Sequence, residues 1–123
     1  MTLLQQSEPV RLDPDRLEQL YLQLGEIGAE NVVCRALEEL AARLSFTERC
    51  YREDQVEDLR KSARSLVAIS EQIGMQSLAR VAQDVTRCID NSDWTALAAT
   101  LARLLRIGER SLNEIWDFQD MTI

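Results

Sequence analysis

The sequence predicts an all-α protein: an antiparallel four-helix bundle with an additional short N-terminal helix. Three observations point there. Apolar residues recur every three or four positions along most of the chain, the period of a helix with one buried stripe. Ala, Leu, Arg, Glu and Gln dominate, while there are only 4 Gly and 2 Pro, a composition that favours helix. No segment alternates like a β-hairpin, and no Asn-Gly or Asp-Gly turn separates two such segments. The 123 residues suit one domain, and a 46% hydrophobic content is enough for a core.

The elements follow in order. Residues 1–12 lack a clear period and are expected to form a flexible N-terminal arm. Asp13-Pro14 has the chemistry of a helix start, with a carboxylate to cap the first amides and a proline whose missing N–H costs nothing there. Leu17, Leu20, Tyr21 and Leu24 continue at helical spacing, and Gly25 and Gly28 end or interrupt this first short helix. A longer helix is expected from about Ala29 to Tyr51, with Val33, Ala36, Leu37, Leu40, Leu44 and Tyr51 on its apolar face. Arg52-Glu53-Asp54 reads as a turn. The next helix runs from about Asp54 to Ile73, with Leu59, Ser62, Ala63, Leu66, Ile69 and Ile73 inward and Gly74 as its C-cap. A further helix, about Gln76 to Ile89, carries Leu78, Val81, Ala82, Val85 and Ile89. In Asp90-Asn91-Ser92, Asn91 or Ser92 is expected to cap the last helix, which starts near Asp93 and reaches Phe118. Its stripe is Trp94, Leu97, Ala98, Leu101, Leu104, Leu105, Leu112, Ile115 and Trp116, which makes both tryptophans core residues. The bundle thus spans residues 13–118, with a tail over 119–123 that brings Asp117, Phe118 and Asp120 to its edge.

Charge narrows the function classes. The formal net charge is -7, which disfavours nucleic acid and anionic membranes as partners. No apolar run approaches the ~20 residues needed to span a bilayer. The N-terminus lacks the basic start and apolar stretch of a secretion signal, so a cytoplasmic protein is expected. Cys34, Cys50 and Cys88 are far apart, odd in number and without histidine partners, so they read as buried inert thiols rather than zinc ligands. No metal, cofactor or glycine-rich phosphate loop is expected, and paired carboxylates such as Glu38-Glu39 read as surface helix residues.

The stretch ARSLVAISEQIGMQSLARV, Ala63 to Val81, carries more. Ala63, Leu66, Ile73, Gly74 and Leu78 stand at the spacing of a phosphorelay motif. The order of the helices over about residues 13–115 follows the same layout. In these features the chain resembles the histidine-containing phosphotransfer domain, a small four-helix bundle of two-component phosphorelays. The chemical positions depart from that family. Its phosphorylated histidine falls on Arg64, its lysine on Val67 and its following glycine on Ala68, and the whole chain contains no histidine. A phosphoryl-accepting imidazole needs a free lone pair near neutral pH, whereas a guanidinium presents donors only. Val67 supplies no charge to steady phosphoryl oxygens. Ser65 lacks a base to activate it, and Ser62 and Ser70 fall on other sides of the helix. No phosphotransfer, and no enzyme activity, is therefore expected.

What the resemblance leaves is a surface. Arg60, Arg64, Val67, Ala68 and Glu71 share one side of the helix, with Lys61 at its flank. In the family this side docks against a receiver domain or a histidine kinase. Arg64 has the chemistry to enter a receiver's carboxylate pocket as a fixed cation, beside an exposed Val67. The bland reading is a solvated face, with Arg60 pairing Glu57 and Arg64 pairing local acids. A third reading is a structural or homo-oligomerising bundle with Val67 as an interface anchor; the docking reading expects a monomer or at most a weak dimer. On the last helix Arg103, Arg106 and Arg110 form a small basic stripe, read first as a solubilising face and second as a contact for an acidic partner.

Overall fold

The computed structural model describes residues 12–121, with side chains up to Ile115. Most of the expected arm, residues 1–11, and the side chains of Trp116, Asp117, Phe118 and Asp120 lie outside the described residues. The described chain forms four helices, α1 (Pro14–Arg52), α2 (Val56–Gln72), α3 (Gln76–Asp90) and α4 (Trp94–Met121), and no strand. No helix among the described residues is long and apolar enough to cross a membrane.

α1 starts where Asp13-Pro14 predicts. The Asp13 carboxylate accepts the amides of Asp15 at 3.1 Å and Arg16 at 3.4 Å. Within α1 only Gly25 leaves helical geometry (φ 76°, ψ 173°), a region open almost solely to glycine, and it kinks the helix there. Gly28, expected to share the break, is helical.

The three turns between helices are one motif used three times. Each helix ends on a residue in the left-handed region: Asp54 (φ 56°), Gly74 (φ 77°) and Ser92 (φ 53°). In each, the amide of that residue reaches back to a carbonyl three positions earlier (Tyr51, Glu71, Ile89). The next amide reaches a carbonyl five positions earlier (Cys50, Ser70, Cys88), at 2.8, 2.8 and 2.9 Å. This is the Schellman arrangement, which satisfies the orphan carbonyls of a helix end. The residue donating that second bond, Gln55, Met75 or Asp93, is also the one that precedes the next helix. The turns therefore contain no spare residue. At the third, Asp93 caps α4, its carboxylate accepting the amide of Ala96 at 3.1 Å. The expected cap at Asn91 or Ser92 is displaced because Ser92 is taken up by the left-handed position.

Each helix packs on the next, and α1 also packs on α4. The core follows the expected stripes closely, from Leu17 and Leu20 through Leu40, Leu66, Leu78 and Leu104 to Ile115. Met75, wholly buried, joins it from a turn where periodicity gives no signal. Four expected inward residues are exposed instead: Leu24, Tyr51, Trp94 and Ala98. Trp94 is 51% exposed, at the edge of a surface cavity that it borders with Tyr51 and Val56. The thiols divide. Cys50 is buried and Cys88 half-buried, but Cys34 is exposed, one position past the inward-facing Val33. α1 and α4 approach closely at Gly108, where a Cβ would lie 2.6 Å from Leu44 Cδ1.

Gly74 sits under a second constraint. Its carbonyl accepts the Asp13 amide at 2.7 Å, and Leu12 forms an isolated antiparallel bridge with Met75. A Cβ on Gly74 would lie 2.9 Å from the Asp13 carbonyl oxygen. Arg16 Nε donates to the Gln72 carbonyl at 2.8 Å, placing a cation at the negative end of α2. Between α1 and α2, Thr47 donates to the Arg43 carbonyl at 2.6 Å, so the buried 2.7 Å contact of Thr47 with Ser62 has Ser62 as donor.

Equal backbone conformations with unequal residues give substitutions of opposite sign. Gly74→Ala is expected to lower unfolding free energy by about 2 kcal/mol or more, from left-handed strain plus the close carbonyl. Ser92→Gly is expected to raise it by about 0.5–1 kcal/mol by relieving the same strain. Urea unfolding of both variants checks this; a destabilised Ser92→Gly would mean that residue is not strained.

Candidate functional site: the outer face of α2

Helical spacing brings the candidate residues onto one surface of α2, and the structure sorts them into different states. Lys61, Arg64, Ala68 and Glu71 are exposed. Val67, expected to be exposed, is half-buried and packed against the core. It lies between the buried Ala63, Leu66 and Ser70 on one side and the open Arg64, Ala68 and Glu71 on the other. It offers the edge of an apolar patch rather than a protruding anchor.

Arg60 is already engaged. It does not pair with Glu57, as the solvated-face reading expects. Its Nε and Nη2 donate to the two carboxylate oxygens of Asp90, at 2.7 and 3.3 Å. This fork ties the first half of α2 to the end of α3, and the planar guanidinium suits such two-point contact. Asp90 is the residue that reading along the chain missed. It lies 30 positions away in a stretch recognised only as a turn, and no spacing rule links the two.

Arg64, one turn further along α2, has no hydrogen bond or ion pair among the described residues. Its charge is nonetheless felt. The Asp90 carboxyl is held below its ordinary value first by the hydrogen bond from Arg60, against some desolvation, and then by the charges of Arg60 and Arg64. The face thus carries one arginine neutralised by Asp90 and one open to solvent, with the exposed Lys61 at its flank. At the far end of α2, Glu71 lines a shallow groove with Asp13, Gly74 and Met75.

The serines near Arg64 are not placed for chemistry. Ser62 is buried in its bond to Thr47, and Ser70 is buried with no partner for its hydroxyl among the described residues. Ser65 is half-buried. The basic stripe of α4 is partly committed: Arg103 lies 3.8 Å from Asp84 of α3, which also binds Arg87 at 2.8 Å.

Comparison of the chain with models of protein families, with curated proteins and with solved structures yields no match. The description of this face therefore stands on its own geometry.

The fork to Asp90 has a pH signature. Because the carboxyl is lowered in the folded state, its stabilising effect is present above its unfolded value, near 3.8, and is lost as pH falls through the lower folded value. Asp90→Asn is expected to lower Tm at pH 7, and the gap to the parent protein is expected to close as pH falls below about 4. Thermal melts of both proteins across that range check it. A gap that persists unchanged at low pH would assign the loss to packing rather than to the carboxylate's charge.

Proposed function

We propose that this is a non-catalytic, phosphotransfer-like signalling protein. It binds a receiver domain or histidine kinase of a phosphorelay through the α2 face around Arg64, and it does so without accepting phosphate. In this reading Pro14–Leu24 serves as the additional short N-terminal helix, the main helices pack antiparallel, and the protein acts in the cytoplasm. Its net charge of -7 argues for a protein partner over nucleic acid or an anionic membrane.

The observation that carries the reading is the contrast between two arginines on one face. Arg60 is held by Asp90, while Arg64 is exposed and has no partner among the described residues. Arg64 stands where the resembling family has its phosphohistidine. A receiver's active site is a cluster of carboxylates, and an extended guanidinium is complementary to it. Arg60 and Asp90 keep that end of the face fixed, so docking orders few side chains. The half-buried Val67 and the small Ala68 leave the surface beside Arg64 low enough for close approach.

A second reading, a homo-oligomerising bundle, draws on a different place. Leu22, Leu24 and Ile27 are 78%, 48% and 76% exposed around the Gly25 kink. That cluster favours self-association at the kink rather than at Val67, whose partial burial leaves little to anchor a dimer.

Arg64→Glu is expected to weaken receiver binding by more than about 1 kcal/mol by setting a carboxylate against carboxylates. It should leave Tm nearly unchanged, because the side chain is exposed. Pull-downs from the source-cell lysate with parent and variant baits, read by mass spectrometry, test this. Loss of a kinase or receiver from the variant alone supports docking. Recovery of the protein itself, or of the same partners with both baits, moves the reading to the bundle. Arg64→His alone is expected not to restore efficient phosphotransfer, since Val67 still lacks the lysine charge; phosphorylation by a relay partner is the readout.

A further inference from the structure

Six large apolar side chains are exposed among the described residues, and three of them, Tyr51, Val56 and Trp94, border one cavity. They come from three elements: the end of α1, the start of α2 and the start of α4. The cavity is about 420 Å³ and shares no residue with the docking face of α2. Scattered apolar side chains are ordinary on a protein surface, but three converging on one concavity are not scattered.

The floor is apolar and closed. Leu59 and Leu97 are 1% and 3% exposed and Cys50 is 3% exposed. An occupant must therefore insert an apolar group. The volume lies within the roughly 300–1,000 Å³ of small-molecule sites, at a size suited to one or two rings. The mouth is polar and carries Asp54 and Arg52. Beyond them lie Asp58, Glu53 and Arg49: the Cys50 thiol is pushed up first by burial, then by Asp58 and Glu53, and drawn down by Arg49. The rim also presents two aromatic rings, whose faces attract cations.

The geometry points to a binding site for a small amphipathic amine, its ring inserted between Tyr51, Val56 and Trp94 and its ammonium group at the mouth beside Asp54. An anion with the same ring meets the acidic surroundings and binds less well. Arg52 and Arg49 oppose this preference, so that Asp54, Glu53 and Asp58 exceed them by a single charge.

The test uses the whole chain labelled with ¹⁵N and titrated with 2-phenylethylamine or, at equal concentration, phenylacetate, each to about 10 mM, a range that reaches millimolar affinities. The chain has 2 tryptophans, and loss of a signal in Trp94→Phe assigns their indole N–H resonances. The expected result is a saturable shift of the Trp94 indole with the amine and little movement of the other. Phenylacetate is expected to bind roughly tenfold more weakly. Trp94→Ala should abolish saturation. Asp54→Asn, which keeps a residue tolerant of the left-handed conformation, should shrink the preference for amine over acid. Both variants should retain the parent's dispersed spectrum, since both positions are exposed. No saturable shift with either probe, equal or stronger binding of phenylacetate, or saturation that survives Trp94→Ala would overturn the inference. So would a concentration-dependent dimer that shifts Trp94 without any ligand, which would assign the cavity to a second copy of the chain.

Discussion

The amide of Asp13 donates to the carbonyl of Gly74 at 2.7 Å, and this contact fixes the entry of α1 against the turn joining α2 and α3. Asp13 serves two helices at once, since its side chain also caps α1. The approach is close enough that only a residue without a Cβ fits opposite it. Arg16 then reaches the last turn of α2 from the same side, and Leu12 bridges Met75. Without this clasp, α1 would meet α2 through side-chain packing and the buried Thr47–Ser62 bond alone. The outer face of α2 inherits its position from the same anchor.

Much of the fold was legible because helix periodicity and cap chemistry are local. Asp13-Pro14, Gly74 and the apolar stripes of all four helices could be placed from residues a turn apart. The left-handed positions at Asp54 and Ser92 were not legible, because nothing in an aspartate or a serine announces positive φ as a glycine does. Misreading Ser92 moved the expected cap of α4, which is Asp93. Trp94 followed the stripe in sequence but not in space, because it stands at the open edge of the cavity it shares with Tyr51 and Val56. Cys34 failed similarly, one step outside the buried row.

The candidate site was legible in part, and the division has a physical cause. Which residues share a face follows from helical spacing, so Arg60, Arg64, Val67, Ala68 and Glu71 could be grouped. Which of them are free depends on residues distant in sequence. Asp90 neutralises Arg60 and leaves Arg64 as the open guanidinium, and no reading of α2 alone contains that distinction. The half-burial of Val67 depends on how α2 rolls against its neighbours. The absence of histidine acts at a different level, because a missing residue type removes a chemistry regardless of geometry.

The turns carry a consequence for how the chain folds. Because the last hydrogen-bonded residue of each turn is also the first boundary of the next helix, no linker has to be gathered when neighbouring helices meet. Loop-closure entropy is then small at three of the four helix–helix contacts. Only the pairing of α1 with α4 joins helices that are not consecutive, and it is there that Gly108 lies against Leu44. Contacts between consecutive helices joined by such short turns are local in sequence, the kind that favour rapid folding. The α1–α4 seam and the Asp13–Gly74 clasp are the contacts that close long stretches of chain.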